Sequence, residues 1–212
     1  MAWVLRFFSS SIGRKVLMAL TGLCFILFLS AHLAGNLLLY QGGEAFNAYA
    51  TRLHSLGPLL NVFEIGLLAM ALVHVLFGTW LFYENYRARP VKYAVKKNGG
   101  GQTLGSATML YTGLLVLAFV VYHLIRFHFV DKTSVTIYEI VKKAFQNPIE
   151  VTLYVIAMAA VAVHVSHGFW SAFQTIGAHH SKYMPLIKGV GLIFSVVIGL
   201  GFGFIPIYMI WV

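Results

Sequence analysis

Carboxylates are almost absent. Six of 212 residues are Asp or Glu, and charged side chains make up 10% of the chain. A soluble domain of this size carries roughly a quarter charged residues, so that class is excluded. One cysteine, Cys24, allows no internal disulfide. It falls within an apolar run, where a small packing role is expected. Flavin fingerprints and cysteine clusters for iron–sulfur centres are missing as well, so the chain cannot hold those centres itself. No segment recurs with a period of 20 to 50 residues. The amphipathic leader MAWVLRFFSSSIGRK leads into an apolar run with no small-residue cleavage site, so that run reads as a retained helix.

What is abundant is apolar side chain, at 59%. A span needs roughly 20 apolar residues, and five such runs are present, at about 15–39, 59–84, 106–129, 149–174 and 188–211. The expected fold is an all-α integral membrane protein with one transmembrane domain over residues 1–212. Four helices run up-down-up-down, and a fifth, free of ionisable residues after Lys188, packs beside them. Basic residues flank the spans unequally: Arg6, Arg14, Lys15, Arg87, Arg89, Lys92, Lys96, Lys97, Lys182 and Lys188 on one side, and Arg52, Arg126, Lys132, Lys142 and Lys143 on the other. That bias places the N-terminus in the cytoplasm and the C-terminus outside. The net charge of +9 is thus largely topology, with a basic inner face suited to an acidic partner or anionic lipid and no support for nucleic-acid binding. Pro90 and the glycine run at 99–101 end any helix within the basic loop, whereas the outer connection at 130–148 is expected to be partly helical.

Four spans carry an interior histidine: His32, His74, His123 and His164. Ionisable groups within a span are costly and read first as functional. His32 and His123 lie 7 and 6 residues from the outer ends of their helices, roughly 10 Å deep. His74 and His164 lie about 15 residues from theirs, roughly 22 Å deep. Each level therefore draws one histidine from each of two diagonal helices, the arrangement that a six-coordinate haem iron needs. A lone histidine could simply bond to a backbone carbonyl; four at two matched depths make that reading improbable. His167 shares roughly the face of His164 and stands as an alternative ligand or a propionate donor. His54, His128, His179 and His180 lie near span ends or in loops, where solvated roles are the default. Gly22 and Gly113 each precede a histidine of the outer pair by ten residues, and are read as notches beside an inner porphyrin.

The segments SSSIGRKVLMALTGLCFILFLSAHLAGNL, HSLGPLLNVFEIGLLAMALVHVLFG with NYRARPVKY, SATMLYTGLLVLAFVVYHLIRF and HVSHGFWSAFQTIG resemble the dihaem cytochrome b subunit of succinate:quinone oxidoreductases, which include succinate dehydrogenase and quinol:fumarate reductase. The likeness extends over nearly the whole chain. It implies two haem b groups, with His32 and His123 on the distal haem and His74 and His164 on the proximal one. His164 matches the family better than His167. It further implies a bacterial cytoplasmic-membrane anchor that docks a flavoprotein and an iron–sulfur subunit on the cytoplasmic side, exchanges electrons with menaquinone, and is compatible with a dimer of heterotrimers. Ala162 stands where some menaquinol-oxidising relatives carry a glutamate, so a proton route there is not expected. The family's outer quinone-site glutamate has only an approximate counterpart, Glu44.

Glu64 is read as the one well-embedded carboxylate. With Asn61 beside it, and with Glu44, Tyr49 and His54 on the outer connection, it forms the candidate set for hydrogen-bonding a quinone and passing its protons outward. Other readings are an anchor for a different respiratory dehydrogenase, a histidine-dependent proton or metal transporter, and a membrane di-iron oxygenase. A transporter would be expected to line its path with carboxylates, and a di-iron centre would gather its ligands at one depth.

Overall fold

The computed structural model describes residues 2–88, 91 and 103–212; Arg89, Pro90, Lys92, Lys96, Lys97 and the glycines at 99–101 lie outside the described residues. Helices account for nearly all of it, with no strand among the described residues. Eight are α-helices: α1 (Ala2–Ser9), α2 (Ser11–Asn36), α3 (Gly43–His54), α4 (Pro58–Arg87), α5 (Leu104–His123), α6 (Ile137–Phe145), α7 (Pro148–Thr175) and α8 (Met184–Met209). Five helical stretches are long and apolar enough to cross a membrane: Ser11–Gln41, Pro58–Arg87, Leu104–His128, Pro148–Thr175 and Met184–Met209. The chain is a multi-pass membrane protein whose outer surface is a belt of Leu, Ile, Val and Phe meant for lipid. Cys24 faces outward with that belt instead of packing inside.

Each span starts where its sequence supplies a cap. The Ser10 hydroxyl accepts from the Gly13 amide at the start of α2, Thr103 and Ser106 form a capping box on α5, and Asn147 precedes Pro148 at the start of α7. Gly57, at φ +55°, turns the chain into α4, whose first residue is Pro58. At the far end, opposite α1, the spans α2 and α5 finish differently. α2 tightens into a 3-10 turn, Leu37–Gln41, while α5 widens into a π turn, Leu124–His128. The outer connection after α2, a polar stretch in the sequence, contains the helix α3, only 12 residues long. α6 appears where partial helix was expected, capped by Thr136 and Glu139, whose carboxyl is held below the usual carboxylate range by the Thr136 amide and hydroxyl. α3 and α6 are tied by the Tyr138 amide donating to Asn47 Oδ1, and they close the far end over Leu39, Phe46, Val141, Phe145, Tyr154 and Met209.

Around the bundle, α2 packs between α4 and α7, and α5 packs on α7. α2 therefore stands diagonal to α5, and α4 to α7, as the up-down-up-down reading requires. α4 packs closely on α2 alone. The ring is open between α4 and α5 except near the far end, where His128 Nδ1 comes within 3.8 Å of Glu64 Oε1.

α8 packs against α7 and α2 through glycines. A Cβ on Gly199 would stand 2.8 Å from Ala162 Cβ, and one on Gly201 would meet Leu33 Cδ2 at 2.8 Å. Ala162 thus points into the α7–α8 seam, where a glutamate has no room. Gly199→Leu is expected to force these helices apart at a cost of roughly 1–3 kcal/mol, read as a lower melting temperature in detergent. An unchanged melt would mean that α8 shifts freely.

One regularity escaped the search for short repeats. The pattern MxxTGLxxxxFxxxHL occupies Met18–Leu33 on α2 and recurs as Met109–Leu124 on α5, 91 residues later. Pro58 and the VHVxxGxW segment Val73–Trp80 on α4 recur 90 residues later as Pro148 and Val163–Trp170 on α7. The helix pair α2–α4 is therefore repeated as α5–α7 in the same orientation, a parallel repeat about an axis along the membrane normal. Its period exceeds the 20 to 50 residues of solenoid units, which is why a search at that scale passes over it.

Candidate functional site

The repeat produces two pairs of facing imidazoles. His74 on α4 and His164 on α7 stand with ring centroids 6.5 Å apart and planes 64° apart. His32 on α2 and His123 on α5 stand 6.0 Å apart with planes at 87°. His74 lies beside Gly22, and His32 is ten residues further along the same helix, so the levels are separated by roughly 15 Å of helical rise.

Three of the four imidazoles meet an oxygen at Nδ1. His74 Nδ1 lies 3.2 Å from the Met18 carbonyl and 3.1 Å from Thr21 Oγ1, whose own hydroxyl is directed at the Leu17 and Met18 carbonyls. A carbonyl only accepts, so Nδ1 carries the proton and Nε2 keeps a free lone pair. The repeat reproduces this on the other side: Thr112 is directed at the Thr108 and Met109 carbonyls, and its oxygen lies 3.3 Å from His164 Nδ1. At the far level Tyr154 OH lies 3.3 Å from His123 Nδ1, and Asn36 Nδ2 makes a long 3.5 Å contact with His32 Nδ1. Phe28 stacks on His32 at 5.1 Å, and its repeat mate Phe119 lies 5.8 Å from His123.

Gly22 and Gly113 serve the His74–His164 pair directly. A Cβ on Gly22 would stand 3.4 Å from His74 Cε1, and one on Gly113 would stand 3.2 Å from His164 Cε1. The notches read from sequence therefore receive imidazole edges, each glycine backing the histidine of the neighbouring helix.

These features fit an axially ligated metal. Two imidazoles each bound through Nε2 at about 2 Å to one ion bring their ring centroids to roughly 6.3 Å, which both observed separations bracket. Hydrogen-bonded Nδ1 atoms are the usual support for metal-binding histidines. A planar macrocycle supplies the remaining four ligands of a bis-histidine haem. Its bulk needs space beside the imidazoles, and α4 is packed closely on only one of its neighbours. Among the described residues no three His, Cys, Asp or Glu side chains converge.

His167 does not face His74. Its ring meets Trp170 edge-on at 4.8 Å, and its buried Nδ1 has no partner. The quinone candidates are scattered at the far end. Glu64 is half-exposed near His128, and Asn61 is exposed on the same helix. Glu44 and His54 are exposed on α3, where His54 Nδ1 bonds to the Ala50 carbonyl, while Tyr49 lays its ring on Gly35. The most enclosed carboxylate is Glu150 at 9% exposure, not Glu64; its Oε1 lies 3.1 Å from Arg126 Nε. Sequence reasoning missed it because it sits one turn from a span end, where a solvated acid is the default. Thr21 was legible, with Gly22, in the likeness of the first span to the cytochrome b pattern, and Thr112 through the 91-residue repeat.

No protein-family model, curated protein or solved structure matches the chain.

Proposed function

We propose that the chain is the dihaem cytochrome b membrane anchor of a succinate:quinone oxidoreductase, acting as a fumarate reductase or succinate dehydrogenase subunit. One observation carries this reading: two diagonal histidine pairs, each at the centroid separation that a shared metal would need, with Nδ1 of His74, His164 and His123 backed by oxygen atoms. His74 and His164 would hold one haem b and His32 and His123 the other. Bound haem supplies one-electron transfer. The chain's residues fix the tautomers of His74 and His164, keep aromatic and aliphatic walls around the sites, and hold two levels about 15 Å apart through a rigid helix register.

The assignment to this oxidoreductase class rests on the sequence resemblance. By the basic bias, α1 and the connection after α4 face the cytoplasm. Arg14, ion-paired with Glu84 at 3.0 Å, and Arg87, Lys182 and Lys188 belong to that face. There the flavoprotein and the iron–sulfur subunit would dock next to the His74–His164 level. Menaquinone would exchange electrons at the far end, next to His32–His123.

A reduced-minus-oxidised absorption spectrum of the purified protein tests the reading: b-type α and Soret bands at two haems per chain are expected, and their absence would leave a histidine-dependent transporter. The ring angles add a sharper expectation. Imidazole planes 87° and 64° apart should give ferric low-spin EPR signals of high axial anisotropy. A rhombic spectrum typical of coplanar ligands would contradict the ring geometry at one or both levels.

A further inference from the structure

The repeat serves as an internal control. The groups that back the near pair, Thr21 and Gly22 with their mates Thr112 and Gly113, occur in both halves, whereas most far-end polar groups do not. Ala31, Gly35, Leu60 and Glu64 of the first half correspond to Tyr122, Arg126, Glu150 and Tyr154 of the second. These four polar side chains form one cluster. Arg126 Nε approaches Glu150 Oε1 at 3.1 Å without hydrogen-bond alignment, and Glu150 Oε2, also buried, has no partner. Tyr122 lies beside both charges, and Tyr154 reaches from the cluster to His123 Nδ1. The π turn that carries Arg126 replaces what is regular α-helix through Asn36 at the matching positions of α2, and π turns are frequent at functional sites. Glu150 is thus an enclosed carboxylate with one free oxygen, beside an Arg126 side chain that is 41% exposed; an enclosed, under-bonded carboxylate in a span is costly and reads as functional.

Against this cluster lies a groove of about 690 Å³ between α5 and α7, within the roughly 300–1,000 Å³ of ligand sites. Its walls include Ala118, Phe119, Ile149 and Leu153, and Tyr122 is the residue that joins it to the ion pair. Such walls suit an amphipathic ring with a hydroxyl or carbonyl at one edge and an apolar remainder lying along lipid-facing side chains.

We propose that this groove is the quinone site. The ring rests on Phe119, its oxygen is hydrogen-bonded by Tyr122, and Glu150 exchanges the ring's proton with water beyond the far end. This deepens the oxidoreductase reading and rests on it. It places the quinone on the α5–α7 corner, away from Glu64 and Asn61 on α4.

The test is equilibrium binding of a fluorescent hydroxyquinoline N-oxide, a menaquinone analogue, to the intact haem-loaded complex. Haem content is measured in the same samples. Ala118→Trp fills the groove from an exposed wall position and should weaken binding by roughly tenfold or more. Tyr122→Phe removes one hydrogen bond and should weaken it by roughly three- to tenfold. If Ala118→Trp disturbs haem content, Ile149→Trp at the groove mouth replaces it, with the same expectation. A photoreactive menaquinone should label α5 or α7. Unchanged analogue binding in a filled-groove variant, or labelling of α4 with loss of binding in Glu64→Gln, would overturn the site. A preparation lacking haem would instead overturn the oxidoreductase reading, so the two failures are distinct.

Discussion

His164→Ala and His74→Ala are each expected to lower haem content from two to one per chain and to leave the spectrum of the remaining haem intact. On the proposed assignment each removes one of two imidazoles whose ring centroids stand 6.5 Å apart, leaving the other without the ring it faces. The far pair is bonded separately, through Tyr154 and Asn36, and shares no hydrogen-bond partner with the near pair. His32→Ala and His123→Ala should therefore produce the complementary loss. His167→Ala should keep both haems, because its ring lies on Trp170 and not opposite His74. Haem is counted by pyridine haemochrome, with folding checked by gel filtration. A His167→Ala protein with one haem, beside a His164→Ala protein with two, would reverse the assignment on α7.

The levels of these histidines were legible in the sequence because a helix has a fixed rise, so residue counts from span ends convert directly into depth. The diagonal pairing followed from alternation of span direction. Span ends were read a few residues short, since Ser10, Thr103 and Asn147 cap helices from polar positions beyond the apolar runs. α3 was not legible because its residues face a packed lid on one side and solvent on the other, with only Phe46 and Ala50 buried. Hydropathy favoured Glu64, several residues inside its apolar run, over Glu150 at an edge. Burial is decided instead by neighbours: α4 has almost none on its outer side, while the start of α7 is enclosed by Arg126 and Tyr122. The threonine supports required knowing which helix faces which, information that single-helix periodicity lacks and the long repeat contains.

Gly22→Leu is the substitution that most cleanly separates neighbours in sequence from neighbours in space. Gly22 shares α2 with His32, so a local helix disturbance would strike the far haem. The structure instead sets it against His74: a Cβ there would stand 3.4 Å from Cε1, an ordinary contact, while the further carbons of leucine would enter the space of the imidazole. Gly113 shares α5 with His123 but faces His164 Cε1, with a Cβ distance of 3.2 Å. Both leucine variants should therefore lose or perturb the haem held by His74 and His164, and both should spare the other. The alanine variants should bind two haems, Gly113→Ala with the larger spectral shift because its contact is tighter. Displacing a ligand nitrogen by even half an ångström takes it out of bonding range, so loss of most of that haem is the expected size of the leucine effect. Spectra and potentials that stay unchanged at both haems in Gly22→Leu would reduce these glycines to ordinary helix contacts. Loss of the far haem alone would show that α2 transmits strain along its axis more strongly than across the contact with α4.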